Sequence, residues 1–148
     1  MKIYMTGYSN LPQEKFIENL KKNGITMVID IREKPYSRWQ PWTSAKKLPD
    51  TLFKNGIKYE WMGGNLGGSF FWKEDGECGL FKETEQKVWL GLEKIIDLAK
   101  EETVCLMCAC GNFEKCHRSV IAVFLISDYR VNVYDIDKNG DLQKISLT

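Results

Sequence analysis

Short apolar runs alternate along this chain with longer segments in which apolar residues recur at helical spacing. The run from Ile25 to Ile31 is almost continuously apolar, which is typical of a buried parallel strand. Strands are predicted over residues 3–6, 25–31, 57–62, 103–108 and 131–136, and helices over residues 12–22, 45–55, 83–101 and 119–128. Because strands and helices alternate, the pattern predicts a mostly parallel sheet with helices on both faces.

The chain is therefore predicted to be one α/β domain over residues 1–148, a three-layer Rossmann-like fold with about five strands in its sheet. A turn at residues 138–141 leads into a sixth segment, which would pair antiparallel at the C-terminal edge of the sheet. The glycine-rich residues 63–68 are predicted to be a loop, and residues 69–82 a long, exposed loop.

Composition narrows the class of protein. The chain is 43% hydrophobic and 28% charged with a formal net charge of +1, so no broad basic field attracts nucleic acid, although a local patch remains compatible with it. No apolar run is long enough to cross a bilayer, and the N-terminus begins in a strand pattern, so we expect a cytoplasmic protein without membrane contact. Its five cysteines favour reduced thiols over a disulfide framework. The oligomeric state is not defined by the sequence.

Residues suited to ligand binding or catalysis lie at the carboxyl end of each of the first four predicted strands. In a parallel α/β sheet, ligands bind beyond the carboxyl ends of the strands, so these residues should meet in one cleft. They are Tyr8 and Ser9 after the first strand, Asp30, Arg32 and Arg38 after the second, Gly67 and Gly68 after the third, and Cys108, Cys116, His117 and Arg118 after the fourth.

The triplet Cys116-His117-Arg118 precedes the last predicted helix. Free N–H groups and the dipole at a helix start lower a thiol pKa, so Cys116 is a candidate nucleophile or ligand contact. The alternative is a small buried hydrophobic residue. His117, the only histidine, is either a general acid or base or a donor to a backbone carbonyl.

A buried carboxylate at the end of the second strand needs a cationic partner, and Asp30 is that carboxylate. Its partner is either Arg118 or Arg32, and Asp30 would orient an arginine toward phosphate. The segment around Arg38 and Trp39 interleaves cations with aromatic rings, which is typical of nucleotide or single-stranded nucleic-acid contacts. A loop anchored by its tryptophans is the alternative.

Three special uses of the cysteines can be weighed on spacing. A zinc site at Cys108, Cys110, Cys116 and His117 is a weak alternative, because Cys105 lies on the opposite face of its strand and no second CxxC pair exists. No cofactor is otherwise predicted. A phosphatase loop is excluded, because the residue six positions before the arginine is an asparagine. A disulfide between Cys110 and Cys116 stays open.

Four motifs in order resemble the domain of unknown function 488 family of bacteria and archaea. They are Thr6-Gly7-Tyr8-Ser9, Asp30-Ile31-Arg32-x-x-Pro35-x-Ser37-Arg38, Leu66-Gly67-Gly68 and Cys108-x7-Cys116-His117-Arg118. The resemblance implies a single α/β domain and adds weight to these residues as site candidates. Two departures stand out: Cys110 replaces a glutamate of the family pattern, and Asn112-Phe113 replaces Asp-Pro.

The leading hypothesis is an enzyme that acts on a phosphate-bearing ligand, either a nucleotide or an exposed nucleic-acid base. Arg32, Arg38 and Arg118 would hold the phosphate, with Tyr8 and Trp39 positioning the base. Catalysis would fall to Cys116 as nucleophile and His117 as acid or base, with Asp30 orienting an arginine. The alternatives are a non-catalytic nucleotide- or nucleic-acid-binding module and a protein-interaction domain with core cysteines.

Overall fold

The structure, a computed structural model, describes residues 1–72 and 79–147. Its strands are β1 (Lys2–Gly7), β2 (Met27–Asp30), β3 (Lys58–Trp61), β4 (Val104–Cys108), β5 (Asn132–Ile136) and β6 (Leu142–Ile145). Its α-helices are α1 (Gln13–Lys22), α2 (Leu48–Lys54), α3 (Gly63–Leu66), α4 (Glu85–Ala99) and α5 (His117–Tyr129). Short 3-10 turns occupy Pro41–Thr43, Gly68–Phe70 and Phe113–Lys115.

The strands form one six-stranded sheet in the order β3-β2-β4-β1-β5-β6. All neighbours are parallel except β5 and β6, which confirms both the parallel sheet and the antiparallel C-terminal edge. Along the strand order, the chain crosses from β1 to β2 in one direction and from β4 to β5 in the opposite direction. The carboxyl ends of β1 and β4 therefore border a topological switch point, where ligands bind in sheets of this kind.

Two apolar cores cover the two faces of the sheet, because successive side chains of a strand point to opposite faces. Along β4, Leu106 and Cys108 belong to the core under α4 and α5, whereas Cys105 belongs to the core under α1 and α2. The two cores make three layers, as predicted. The separation of Cys105 from Cys108 also confirms the prediction from strand alternation.

Helix boundaries differ from the prediction where a local group determines the first turn. Helix α2 begins at Leu48 and not at Ala45, because Pro49 lacks an N–H and is accommodated in a first turn. Helix α5 begins at His117 and not at Ser119, because the sulfur of Cys116 accepts a hydrogen bond from the backbone N–H of Arg118 and caps the helix.

The predicted loops between β3 and α4 are partly ordered elements. The glycine-rich stretch contains the short helix α3, and Phe71 is fully buried, so the prediction of an exposed loop is wrong there. Residues 73–78 of that predicted loop lie outside the described residues. Within the described ranges, no helix has the length and apolar character needed to cross a membrane.

Candidate functional site

A cavity of about 420 Å³ opens at the carboxyl ends of β1, β2 and β4. Its floor contains the thiols of Cys108 and Cys116 and the ring of His117, which the ends of β4 and the start of α5 bring together. Its rim carries one exposed carboxylate, Glu33, together with cations and aromatic rings. The exposed cations are Lys34 and Lys115, and the aromatic rings are Tyr36 and Trp72.

The two floor thiols contact each other. The sulfurs of Cys108 and Cys116 are 2.8 Å apart, and both cysteines are free thiols with at most 3% of their surface exposed. Cys116 caps α5 through the N–H of Arg118 at 3.5 Å, and Arg118 Nη1 donates to the sulfur of Cys108 at 3.2 Å. One arginine and one helix start therefore act on the same pair of sulfur atoms.

This arrangement shifts the pKa values of the two thiols in opposite directions. Burial alone would raise the pKa of Cys108, but the hydrogen bond from Cys116 and the positive charge of Arg118 outweigh burial and lower the pKa to about 7. The pKa of Cys116 is raised, first because its thiol donates to Cys108 and second because it is buried. The two thiols titrate as a coupled pair, and the hydrogen bond from Arg118 Nη1 favours the negative charge on Cys108.

The ring of His117 is oriented by the backbone, and its lowered pKa favours the neutral form. Its Nε2 donates to the carbonyl of Ile31 at 3.1 Å, since a carbonyl oxygen only accepts. Burial lowers its pKa, and its ring stacks on Phe71 at 6.0 Å between centroids. In this tautomer Nδ1 carries a lone pair, and it lies 3.8 Å from the sulfur of Cys116. His117 is therefore placed to exchange a proton with Cys116.

Arg118 lies behind the thiol pair and is completely buried. Its Nη1 also donates to the carbonyl of Cys110 at 2.7 Å, and its Nε forms an ion pair with Asp135 at 3.5 Å. Burial raises the pKa of Asp135 to about 6, although the charge of Arg118 acts in the opposite direction. The predicted alternative of an Asp30–Arg118 bridge is thus wrong, because the carboxylate beside Arg118 belongs to β5.

Asp30 pairs with Arg32, the other partner considered. Arg32 donates to both carboxylate oxygens, at 2.9 and 2.7 Å, and Asp30 is completely buried. Arg32 also donates to the Tyr8 hydroxyl at 3.0 Å, and to the hydroxyl and carbonyl oxygens of Thr43 at 3.1 and 2.7 Å. All five N–H groups of this guanidinium therefore have partners within the described residues, which leaves none to hold a phosphate.

Tyr8 and Asp30 are further fixed by their own neighbours. Tyr59 donates to Asp30 at 2.5 Å, and burial together with this bond raises the pKa of Tyr59. The ring of Tyr8 is 2% exposed, with the guanidinium of Arg32 5.3 Å from its centroid and Trp42 edge-on at 5.8 Å. The Tyr8 ring is therefore part of the packed floor rather than a free surface on which a base stacks.

The remaining predicted residues fall on several sides of the cavity. Gly68 lines it, and a Cβ there would lie 3.7 Å from His117 Nδ1. Gly67 abuts Glu33, where a Cβ would be 2.0 Å from the side chain. Ser9 is exposed and lines a second cavity of about 530 Å³ on the far side of β1, which Arg118 and Asp135 also line.

Arg38 and Trp39 are not among the described residues that line the cavity of about 420 Å³. Arg38 is exposed with its guanidinium 5.9 Å from the ring of Trp39, and Trp39 is itself 86% exposed. The three arginines predicted to hold one phosphate are therefore not brought together. Arg32 and Arg118 are engaged inside the protein, and Arg38 is at the surface.

The pairing of Cys108 with Cys116 was missed by sequence reasoning, which considered Cys110 as the partner. Cys110 turns its thiol to the carbonyl of Asn112 at 3.3 Å. Strand alternation separated Cys108 from Cys105 but did not show which helix covers Cys108, and a correct assignment of that face to α5 was the signal that could have paired it with the helix cap. Among the described residues no group of three or more histidine, cysteine, aspartate or glutamate side chains is arranged to hold a metal.

Comparison with known proteins adds a family and no activity. A model of the family described as "Domain of unknown function DUF488" matches residues 12–125, which include β2 to β4 and most of α5 and leave β1, β5 and β6 outside. No match to this chain was found among curated proteins or among solved structures.

Proposed function

Because the chain belongs to the domain of unknown function 488 family, whose description assigns no activity, we propose a function from the site itself. The protein is an enzyme that uses a cysteine thiolate on a phosphate-bearing ligand, such as a nucleotide or an exposed nucleic-acid base. One observation carries this proposal: the Cys108–Cys116 thiol pair on the floor of the cavity, with Arg118 behind it and His117 beside it.

The nucleophile in this proposal is Cys108 and not Cys116, the residue favoured by the sequence. A thiolate is the reactive form of cysteine, and Arg118 donates to the sulfur of Cys108, which leaves the shared proton of the pair with Cys116. Cys116 is then the proton donor beside the thiolate. His117 Nδ1 exchanges that proton, because its other nitrogen is held by a carbonyl.

The ligand class follows from the rim. Lys34 and Lys115 supply exposed positive charge, while Tyr36 and Trp72 supply rings against which a base can stack. The phosphate contacts are therefore reassigned from the three arginines to the two lysines. A cavity of about 420 Å³ suits a small ligand, and the net charge of +1 disfavours coating of nucleic acid.

The test separates binding from chemistry. Adenosine and cytidine monophosphates are titrated into the chain by calorimetry, with the two nucleosides as uncharged controls. Lys34→Ala with Lys115→Ala should weaken binding of the monophosphates at least about tenfold at low salt. The matched pair Lys46→Ala with Lys144→Ala, exposed lysines outside this cavity, should leave binding unchanged.

Chemistry is then followed by chromatography and mass spectrometry of the incubated nucleotides. Conversion that requires the Cys108 thiol, and disappears in Cys108→Ser, supports the enzyme. Nucleotides that bind equally well to both proteins and come back unaltered favour the non-catalytic binding module. If neither monophosphate binds, the assignment of the ligand class is wrong.

A further inference from the structure

We propose that Cys108 and Cys116 form a dithiol that hydroperoxides oxidise to a disulfide, with Cys108 attacking the peroxide and Cys116 resolving the product. This proposal rests on the thiol pair and not on the ligand of the proposed function. Disulfide formation would remove the nucleophile from the cavity, so the same reaction would switch that function off.

The geometry of the pair is close to that of a disulfide. The two sulfur atoms are 2.8 Å apart, and a disulfide bond is about 2.05 Å long, so the sulfurs need to approach by less than about 1 Å. Both sulfurs belong to residues that line the cavity, which gives a small peroxide a path to them. Cys105 lies in the opposite core, and Cys110 turns to a backbone carbonyl, so neither competes from its observed position.

The environment favours Cys108 as the first residue to react. Its sulfur accepts a hydrogen bond from Arg118 and lies 2.8 Å from the sulfur of Cys116, and a thiolate at Cys108 is stabilised by both neighbours when it attacks a peroxide oxygen. The lowered pKa of Cys108 agrees with that geometry. Cys116 keeps its proton until Cys108 has been oxidised, and His117 Nδ1, 3.8 Å from its sulfur, is the base that then accepts the proton.

Both steps balance. The thiolate of Cys108 attacks one peroxide oxygen, an S–O bond forms as the O–O bond breaks, and an alcohol or water leaves with the proton it takes up. His117 removes the proton of Cys116, whose thiolate attacks the sulfur of the Cys108 sulfenic acid; an S–S bond forms as the S–O bond breaks, and the departing hydroxide takes up that one proton as water. In total, two thiols and one hydroperoxide give one disulfide, one alcohol and one water.

The experiment uses the full chain, reduced and then treated with hydrogen peroxide at neutral pH. Free thiols counted after denaturation should fall by two, from the five in the sequence to three. Trypsin cuts after Lys115, so the Cys116-His117-Arg118 tripeptide should be joined to the peptide of residues 101–115. Single Cys78→Ser, Cys105→Ser and Cys110→Ser variants identify which cysteine is joined, and each should still form the disulfide.

The serine variants of Cys108 and Cys116 should give different products with peroxide. Cys116→Ser should accumulate a sulfenic acid at Cys108, trapped by dimedone, whereas Cys108→Ser should form neither that adduct nor the disulfide. Circular dichroism of each serine variant verifies that it is folded. A disulfide through Cys78 or Cys110, or a Cys108 that stays reduced under conditions that oxidise free cysteine, overturns the proposal. Nucleotide binding is measured separately, so its absence would contradict only the proposed ligand.

Discussion

Replacing Cys116 by alanine removes the thiol that donates to Cys108, and the pKa of Cys108 should rise as a result. A hydrogen bond to a charged group contributes about 1.5–3 kcal/mol, and about 1.4 kcal/mol corresponds to one pKa unit. Because cavity water replaces part of the lost bond, we expect a rise of about one unit, from about 7 toward 8. Serine keeps a hydroxyl donor, so Cys116→Ser is the matched control and should shift the pKa by much less.

The pH profile is a better measurement than the rate at one pH. When the pKa rises by one unit, the thiolate fraction at pH 7 falls about fivefold. The thiolate also becomes about threefold more nucleophilic, so the rate at pH 7 falls only about twofold. The midpoint of the profile moves by the full unit, and site-resolved mass spectrometry of iodoacetamide adducts at Cys108 measures it.

Two results would refute this reasoning. A wild-type midpoint near 8.5, the value of an ordinary cysteine, would mean that Arg118 and Cys116 do not stabilise the Cys108 thiolate. Equal midpoints for Cys116→Ala and Cys116→Ser would mean that the donor at position 116 is irrelevant. In either case the assignment of the negative charge to Cys108 would be abandoned.

Three further predictions concern stability. Gly7→Ala should lower the free energy of unfolding in urea by about 3 kcal/mol or more, because its Cβ would lie 1.7 Å from a backbone carbonyl oxygen. Gly64→Ala is the control: its Cβ would make only ordinary contacts, so the free energy of unfolding should change by less than about 1 kcal/mol. Equal effects of the two substitutions would contradict the packing at Gly7. Asp30→Asn should cost about 3–5 kcal/mol, because the buried guanidinium of Arg32 loses its counter-charge, and a loss below about 1 kcal/mol would contradict that pairing. Asp135, with a folded pKa of about 6 against about 3.9 unfolded, binds its proton more tightly in the folded state, so stability should fall by about 2–3 kcal/mol as pH rises from 4 to above 6. Asp135→Asn should lack this component, and an unchanged pH dependence in that variant would contradict it.

The fold followed from periodicity because each strand and helix carries its own local signal. The apolar run before Asp30 and the helical spacing after Glu83 predicted β2 and α4 to within a few residues. The glycine-rich stretch before Gly67 carried no such signal, because glycine is compatible with loops and tight turns alike. Its short helix packs closely against the preceding loop, with Gly63 against the carbonyl of Arg32, and no local pattern encodes that contact.

The site was predictable in its location and not in its pairings. The rule that ligands bind at the carboxyl ends of parallel strands brought Cys116, His117 and Gly68 to one cavity. Which acid meets which arginine depends on strand order, and the sequence does not reveal that β5 lies beside β1. Asp135 therefore went unnoticed as the counter-charge of Arg118. The thiol pair was missed for the same reason, since its closeness depends on how α5 begins over the end of β4.

Arg118 joins parts of the protein that are far apart along the chain. One end of its guanidinium holds the sulfur of Cys108 at the end of β4, and the other faces Asp135 on β5, which is paired with the edge strand β6. If β5 separates transiently from β1 and takes β6 with it, this arginine loses its acidic neighbour and is freer to leave the sulfur. The rate at which a thiol reagent modifies Cys108 then reports that separation, with no label placed on β5 or β6.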